Sequence, residues 1–192
     1  MVLMEEVRTA RLRLRPWSEA DRRPFAAMHA DPDVMAFMPG VLDDHASDAL
    51  VARNLRNAEQ HGFGPWSIEV VGGESFVGYA GLQRPNFFAH FTPCVEIGWM
   101  LARHAWGRGY AIEAARAICR RAFNDLGIDE LVAFTVPANA RSRRVMAALG
   151  MSHDEVDDFD HPRLAVGHPL HRHVLYRLSR RRWAELVGVG QG

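Results

Sequence analysis

The sequence predicts an α+β fold, with one mixed sheet of about seven strands flanked by helices. Segments that alternate polar and apolar residues, typical of strands, occur on both sides of segments with helical spacing. Their order is strand, two helices, three strands, helix, strand, helix, two strands and a short helix. We expect one domain over residues 1–192, with a core at about 8–178 and a terminal helix at 180–187.

The first third of the chain predicts a strand and two helices. Arginine alternates with leucine over 11–15, which is the period of a strand with one buried face. Proline is tolerated only in the first turn of a helix, so Pro24 places the first helix at 22–30, with Asp21 as its cap. A second helix is predicted over 43–60.

The middle of the chain predicts a hairpin at 66–83, a phenylalanine-rich loop at 84–93 and a strand–loop–helix segment at 95–126. In the last segment, Gly107 and Gly109 lie in the loop that opens an amphipathic helix. Unpaired N–H groups and the positive end of a helix dipole favour an anion at such a point. This segment therefore predicts a phosphate site beside the end of a strand.

The last third of the chain predicts a strand at 130–136, then a helix capped by Asn139 and ended by Gly150. An edge strand is predicted at 151–159 and a closing strand at 173–178. These elements complete the expected sheet.

Composition argues against several classes of protein. Lysine and arginine total 23, as do aspartate and glutamate, so no net field favours nucleic acid or a membrane surface. The chain shows neither a signal-peptide pattern nor an apolar run of about 20 residues, and we expect a cytoplasmic protein. Cys94 and Cys119 make no disulfide framework, which favours a reducing compartment. The histidines and aspartates at 153–173 match no zinc spacing, so no metal is expected.

Three segments carry a resemblance to a known family. They are RTARLRLRPWSEAD from residue 8, VEIGWMLARHAWGRGYAIEA from residue 95 and NARSRRVMAALGM from residue 139. In this order they resemble the first strand, the acetyl-CoA signature and the Asn-x-x-Ser helix of the GNAT superfamily, specifically its RimJ/RimL-like branch. The resemblance implies an acetyl-CoA-dependent N-acetyltransferase, with a splayed pair of strands at the coenzyme site.

The resemblance also assigns residues to the coenzyme. Its pantetheine arm is expected along the backbone of Trp99, Met100 and Leu101. Asn139 is expected to bond this arm, and Arg144 to reach the phosphates. Small residues in the phosphate loop allow a phosphate to approach the backbone closely. At the first place of the loop, Trp106 replaces the usual Arg or Gln. The phosphate loop comprises Trp106, Gly107, Arg108, Gly109, Tyr110 and Ala111.

Glu96 and Ser142 are the candidate catalytic residues. Many relatives use a Tyr as the acid, but its place here falls on Met146, which cannot donate a proton. Ser142 on the same helix is expected to protonate the departing thiolate, with Tyr176 and Tyr110 as weaker substitutes. Glu96 alternates with apolar residues, so burial is expected to raise its pKa and suit it as the base. A C-terminal histidine is the alternative base.

The acceptor is expected to be a primary amine, either a protein N-terminus or a small molecule. Transfer is expected to be direct, in a ternary complex, because neither cysteine stands where a covalent nucleophile is needed. The alternative function is a non-catalytic acyl-CoA-binding sensor or partner module, which the intact glycine loop also fits. The resemblance is compatible with a monomer or a homodimer.

Overall fold

The computed structural model describes residues 4–188. Within this range the chain forms nine strands and five α-helices, in the predicted α+β class. Two strands more than expected appear because three strands are only two residues long, too short to show alternation in the sequence. No helix among these residues is both long and apolar enough to cross a membrane. The short strands are β1 (Val7–Arg8), β7 (Ser152–His153) and β8 (Phe159–Asp160).

The chain divides into two compact units, each with its own core. Unit 1 comprises Met1–Gln83 and Gly98–Ile118, and unit 2 comprises Arg84–Ile97 and Cys119–Gly192. Two elements contribute residues to both units, namely β5 (Glu96–Leu101) and α3 (Tyr110–Arg120).

Unit 1 is built on antiparallel strands. β1 pairs with β2, β2 with β3 and β3 with β4, which confirms the predicted first strand and hairpin. The alternation in β2 buries Leu12 and Leu14 completely. In β4, Gly78 has φ +145°, and a Cβ there would clash with the carbonyl oxygen of Met100, so only glycine fits. These strands are β2 (Leu12–Arg15), β3 (Pro65–Val70) and β4 (Gly78–Gln83).

Both predicted helices of unit 1 form, as α1 (Arg22–His29) and α2 (Asp44–His61). Asp43 caps α2, since its carboxylate accepts a hydrogen bond from the N–H of Ala46 at 2.8 Å. The core of this unit includes Phe25, Met28, Val51 and Phe76.

The predicted side-chain cap of α1 is wrong. The Asp21 carboxylate turns back and accepts hydrogen bonds from the N–H of Ser18 at 2.8 Å and from the Arg15 guanidinium at 2.7 and 2.8 Å. A 3-10 turn, Glu19–Asp21, then leads into α1 with Pro24 in its first turn, as predicted. Pairing with a buried guanidinium outweighs capping here, because an ion pair satisfies the buried charge.

Unit 2 is arranged around β6 (Glu130–Thr135). It pairs in parallel with β5 at Glu96 and Val132, and antiparallel with β9 (Arg172–Ser179). β9 also pairs with β7 and β8, so the edge strand predicted at 151–159 forms as two separate short strands. The core includes Phe91, Val132, Phe159 and Leu175.

The remaining helices follow β5 and β6 along the chain. α3 is followed by a π-helical turn at Arg121–Asp125, which the sequence did not predict. The helix predicted after Asn139 is α4 (Ala140–Ala148), and the terminal helix is α5 (Arg180–Gly188). In α5, Trp183 is 8% exposed and packs against Phe123.

Candidate active site

The predicted phosphate loop lies in unit 1 and leads directly into α3. Gly107 has φ +74° and Gly109 has φ +79°, in the left-handed region that glycine adopts without strain. Within residues 4–188, the N–H groups of residues 107–112 have no hydrogen-bond partner. These donors lie at the positive end of the α3 dipole, so the loop fits an anionic group.

The unusual tryptophan of this loop has an anchoring role. The indole N–H of Trp106 donates a hydrogen bond to the carbonyl oxygen of Leu101 at 2.9 Å. This contact ties the beginning of the loop to the last residue of β5. Trp99 and Met100, the other residues expected to follow the pantetheine arm, are half-buried in the same strand.

Sequence reasoning missed the residues that hold this loop from behind. One carboxylate oxygen of Glu113 accepts hydrogen bonds from the Thr9 hydroxyl at 2.6 Å and the Arg11 N–H at 2.9 Å. The other accepts from the Arg11 guanidinium, which also donates to the carbonyl oxygen of Arg108 at 3.0 Å. Burial would raise the pKa of Glu113, but the hydrogen bonds from Thr9 and Arg11 outweigh it and hold the pKa below its ordinary value.

Glu96 lies in unit 2 and is 9% exposed. Because paired residues of neighbouring strands share a face, Glu96 lies on the same face of the sheet as Val132. Because successive side chains of a strand point to opposite faces, Phe134 lies on this face and Thr135 on the opposite one. The face with Glu96 is therefore the face of the aromatic core of unit 2.

The other predicted residues of unit 2 lie on α4. Asn139 is the N-cap, as predicted, since its side-chain oxygen accepts from the Ser142 N–H at 3.2 Å. Its amide group donates to the Thr135 hydroxyl at 3.0 Å. Arg144 is exposed, and the hydroxyl of Ser142 makes no hydrogen bond within the described range 4–188.

Glu96 and α4 thus belong to opposite faces of the sheet of unit 2. Thr135, which holds the cap of α4, faces away from Glu96. Tyr176 pairs with Ala133 and shares this second face, where its hydroxyl accepts a hydrogen bond from Arg143 at 3.3 Å. Met146 is 2% exposed and contributes only to packing.

Two histidines of unit 2 adjoin the aromatic residues on the Glu96 face. The rings of His161 and His173 are 5.1 Å apart, and His173 also lies 5.4 Å from Phe159. Burial lowers the pKa of both histidines, which favours the neutral imidazole. His173 Nδ1 donates to the carbonyl oxygen of His171 at 3.3 Å, so its Nε2 carries the lone pair. His173 can therefore accept a proton.

No cluster of three or more His, Cys, Asp or Glu side chains within residues 4–188 is arranged to hold a metal ion. The two cysteines are also poor nucleophiles. Burial raises the pKa of Cys94 to about 11 and that of Cys119 to about 12. Covalent transfer through a thiolate therefore has no support from either residue.

We expect the protein to lose stability as the pH falls below about 6.5, the pKa of an unfolded histidine. Burial lowers the folded-state pKa of His29, His161 and His173, so the unfolded chain binds protons that the folded chain does not. Urea unfolding at pH 7.5, 6.5 and 5.5 measures this effect. Replacing the fully buried His29 (His29→Leu) should reduce the slope by up to about 1.4 kcal/mol per pH unit.

The exposed His45 on α2 gives the control for that experiment. His45→Gln should leave the pH slope of the unfolding free energy unchanged. An unchanged slope in His29→Leu would show that His29 binds its proton equally well in both states.

Comparison with known proteins assigns the chain to a class of protein, the acetyl-CoA-dependent acyltransferases. Residues 11–152 match the acetyltransferase (GNAT) domain family, and the chain belongs to the GNAT acetyltransferase family. The family assignment, the fold class and the enzymatic nature predicted from the sequence are thereby confirmed. The alternative of a non-catalytic binding module is not favoured.

Individual relatives agree with this family. The chain is 35% identical over 148 residues to the uncharacterized protein YkkB of Bacillus subtilis, covering 77% of this chain and 85% of YkkB. It is 32% identical over 189 residues to the FsC-acetyl coenzyme A-N(2)-transacetylase of Aspergillus fumigatus, covering 93% of this chain and 77% of that enzyme. The crystal structure of an acetyltransferase from Agrobacterium tumefaciens superposes with a TM-score of 0.75 at 28% identity, covering 91% of this chain and 94% of the other.

Proposed function

We propose that the protein transfers the acetyl group of acetyl-CoA directly to a primary amine in a ternary complex. We also propose that the whole chain acts as one acetyltransferase domain of the RimJ/RimL-like branch. The observation that carries the proposal is the row of unpaired N–H groups at residues 107–112, which follow β5 in the chain and open α3. The relative named as an N(2)-transacetylase supports an amine acceptor.

The coenzyme's phosphates bind the loop from Trp106 to Ala111 through these N–H groups, and the pantetheine arm follows the backbone from Trp99 to Leu101. Asn139 bonds the arm. Although it caps α4, its side chain keeps a second N–H and a second lone pair. Arg144, exposed on α4, contributes charge toward the phosphates.

An amine that enters as an ammonium ion must lose two protons, and the sulfur must gain one. Glu96 takes the proton from the ammonium group, and the free nitrogen attacks the carbonyl carbon of the thioester. The carbon–sulfur bond then breaks, and the Ser142 hydroxyl protonates the departing thiolate. The second proton of the nitrogen restores the Ser142 hydroxyl, and the proton on Glu96 passes to solvent. The opposite sheet faces of Glu96 and α4 suit this division, because the amine enters and the thiolate leaves on different sides of the carbonyl carbon.

We expect the Glu96→Gln variant to lower kcat by about 10²–10⁴-fold, because an amide cannot accept the amine's proton. Thiol release from acetyl-CoA is measured against a panel of small primary amines and peptides with free N-termini. The KM for acetyl-CoA should change little. Glu59→Gln, at an exposed position of α2, is the matched control and should behave as the wild type.

The same assay tests the function as a whole. Acetyl-CoA binding without thiol release in the presence of any amine would favour the non-catalytic module after all. Wild-type kcat in Glu96→Gln would exclude Glu96 as the base, and His173→Gln would then be the variant expected to lose activity, because His173 is the neutral base on the same face.

A further inference from the structure

Arg11 lies behind the phosphate loop and connects two parts of it. Its side chain binds Glu113, in the first turn of α3, and the backbone of Arg108, inside the loop. We propose that Arg11 is a positioning residue that fixes the loop peptides in the orientation in which their N–H groups receive the coenzyme's phosphates. This inference rests on the proposed function of the loop.

The ion pair with Glu113 holds the guanidinium of Arg11 in place. Nε and Nη2 of Arg11 lie 2.7 and 2.6 Å from one carboxylate oxygen of Glu113, which is the geometry of a strong guanidinium–carboxylate pair. The second oxygen is held by the Thr9 hydroxyl and by the backbone N–H of Arg11. The Glu113 carboxylate is therefore bound by both the side chain and the backbone N–H of Arg11.

The bond to the loop fixes one peptide group. Nη1 of Arg11 donates to the carbonyl oxygen of Arg108 at 3.0 Å. In a trans peptide the C=O and N–H bonds point in opposite directions, and the N–H of this peptide belongs to Gly109. With the carbonyl held toward Arg11, the N–H of Gly109 is directed away from it, toward the side where a phosphate can bind.

The guanidinium also fills the space beneath the loop. It lies 5.1 Å from the centre of the Tyr110 ring, within the range of a cation–π contact. A Cβ built on Gly109 would lie 3.3 Å from Nη2 of Arg11. The guanidinium therefore lies close to Gly109 and Tyr110 as well as to the Arg108 carbonyl.

Charge gives a further reason for an arginine at this place. The ionised Glu113 would repel a phosphate bound at the start of α3. Arg11 compensates this charge, while half of its side chain stays exposed to solvent. The pair thus keeps a stabilising acid in the first turn of the helix without making the anion site negative.

The test compares acetyl-CoA with S-acetylpantetheine, which lacks the pyrophosphate. Arg11→Ala should raise the KM and Kd for acetyl-CoA about tenfold or more, because it removes charged hydrogen bonds that order the loop. The kcat at saturating acetyl-CoA should stay within about twofold, since positioning the phosphates affects binding and not the chemical step. The kcat/KM for S-acetylpantetheine should not change.

Two conservative variants and a control sharpen the result. Arg11→Lys keeps the charge opposite Glu113 but cannot bind both Glu113 and the Arg108 carbonyl, so a smaller loss of affinity is expected. Glu113→Gln should weaken acetyl-CoA binding too. Arg8 lies on the neighbouring strand β1 and forms an exposed ion pair with Glu6, so Arg8→Ala should leave every constant unchanged.

The outcomes separate this inference from the function of the loop. Wild-type affinity for acetyl-CoA in Arg11→Ala would overturn the role of Arg11 and leave the loop assignment intact. An equal loss with acetyl-CoA and S-acetylpantetheine would show a general structural role and would also overturn it. If Arg11→Ala does not fold, the role of Arg11 is tested with Arg11→Lys. Thermal unfolding then shows whether this variant is folded, and its affinity for acetyl-CoA shows whether the smaller loss occurs. A wild-type protein that binds no acetyl-CoA would refute the proposed function, and the role of Arg11 with it.

Discussion

The Gly109→Trp variant is expected to lose at least about 100-fold in affinity for coenzyme A, close to complete loss of binding. Gly109 has φ +79°, where a residue with a Cβ costs about 1–2 kcal/mol. An indole at this exposed position would also cover the N–H groups to which we assign the phosphates. A Cβ at this position would also lie 3.3 Å from Nη2 of Arg11, so the guanidinium would have to shift. Isothermal titration with coenzyme A measures the effect.

Backbone strain has to be separated from blocking of the site. Gly72, in the turn between β3 and β4, has φ +72° and no atom within 4 Å of a Cβ built there. Gly72→Trp therefore carries similar strain at a place remote from the loop in sequence, and it should bind coenzyme A normally. Equal loss in both variants would mean that strain alone weakens the protein. Normal binding by Gly109→Trp would show that the coenzyme's phosphates bind elsewhere.

This loop was predictable because its signal is local. Two glycines between a strand and an amphipathic helix define a helix start with unpaired donors, and neighbouring residues in the sequence are enough to show it. The cap of α4 was predictable for the same reason, since Asn139 binds the N–H of a residue three positions later. Local spacing also predicted α1, α2 and the hairpin of β3 and β4.

The support of the loop was not predictable, because it depends on pairs distant in sequence. Arg11 and Glu113 are 102 residues apart, and in the sequence each is only one of many charged residues. The placement of Glu96 and Ser142 on opposite sides of the sheet could not be predicted for a related reason. It follows from the register of β5 and β6 and from the bond between Thr135 and Asn139, neither of which the sequence shows.

Asp21 illustrates the same limit and gives the largest expected effect on stability. The sequence predicted a helix cap, but the carboxylate is 1% exposed and binds the guanidinium of Arg15 through both oxygens. It also accepts hydrogen bonds from the N–H of Ser18 and the hydroxyl of Ser67. Burial would raise the pKa of Asp21, but the hydrogen bonds from Arg15 and Ser18 outweigh it and hold the pKa below its ordinary value.

We expect Asp21→Ala to lower the free energy of unfolding by about 3–5 kcal/mol, because it leaves the largely buried Arg15 without its main partner. Urea unfolding at pH 7 measures the loss. Asp48→Ala breaks an exposed ion pair with Arg22 and should cost less than about 1 kcal/mol. The contribution of Asp21 to the free energy of unfolding is complete above its unfolded-state pKa of about 3.9. It disappears as the pH falls through the lower pKa of Asp21 in the folded protein. A loss in Asp21→Ala no larger than in Asp48→Ala would mean that Glu69, 3.1 Å from Arg15, compensates the guanidinium by itself.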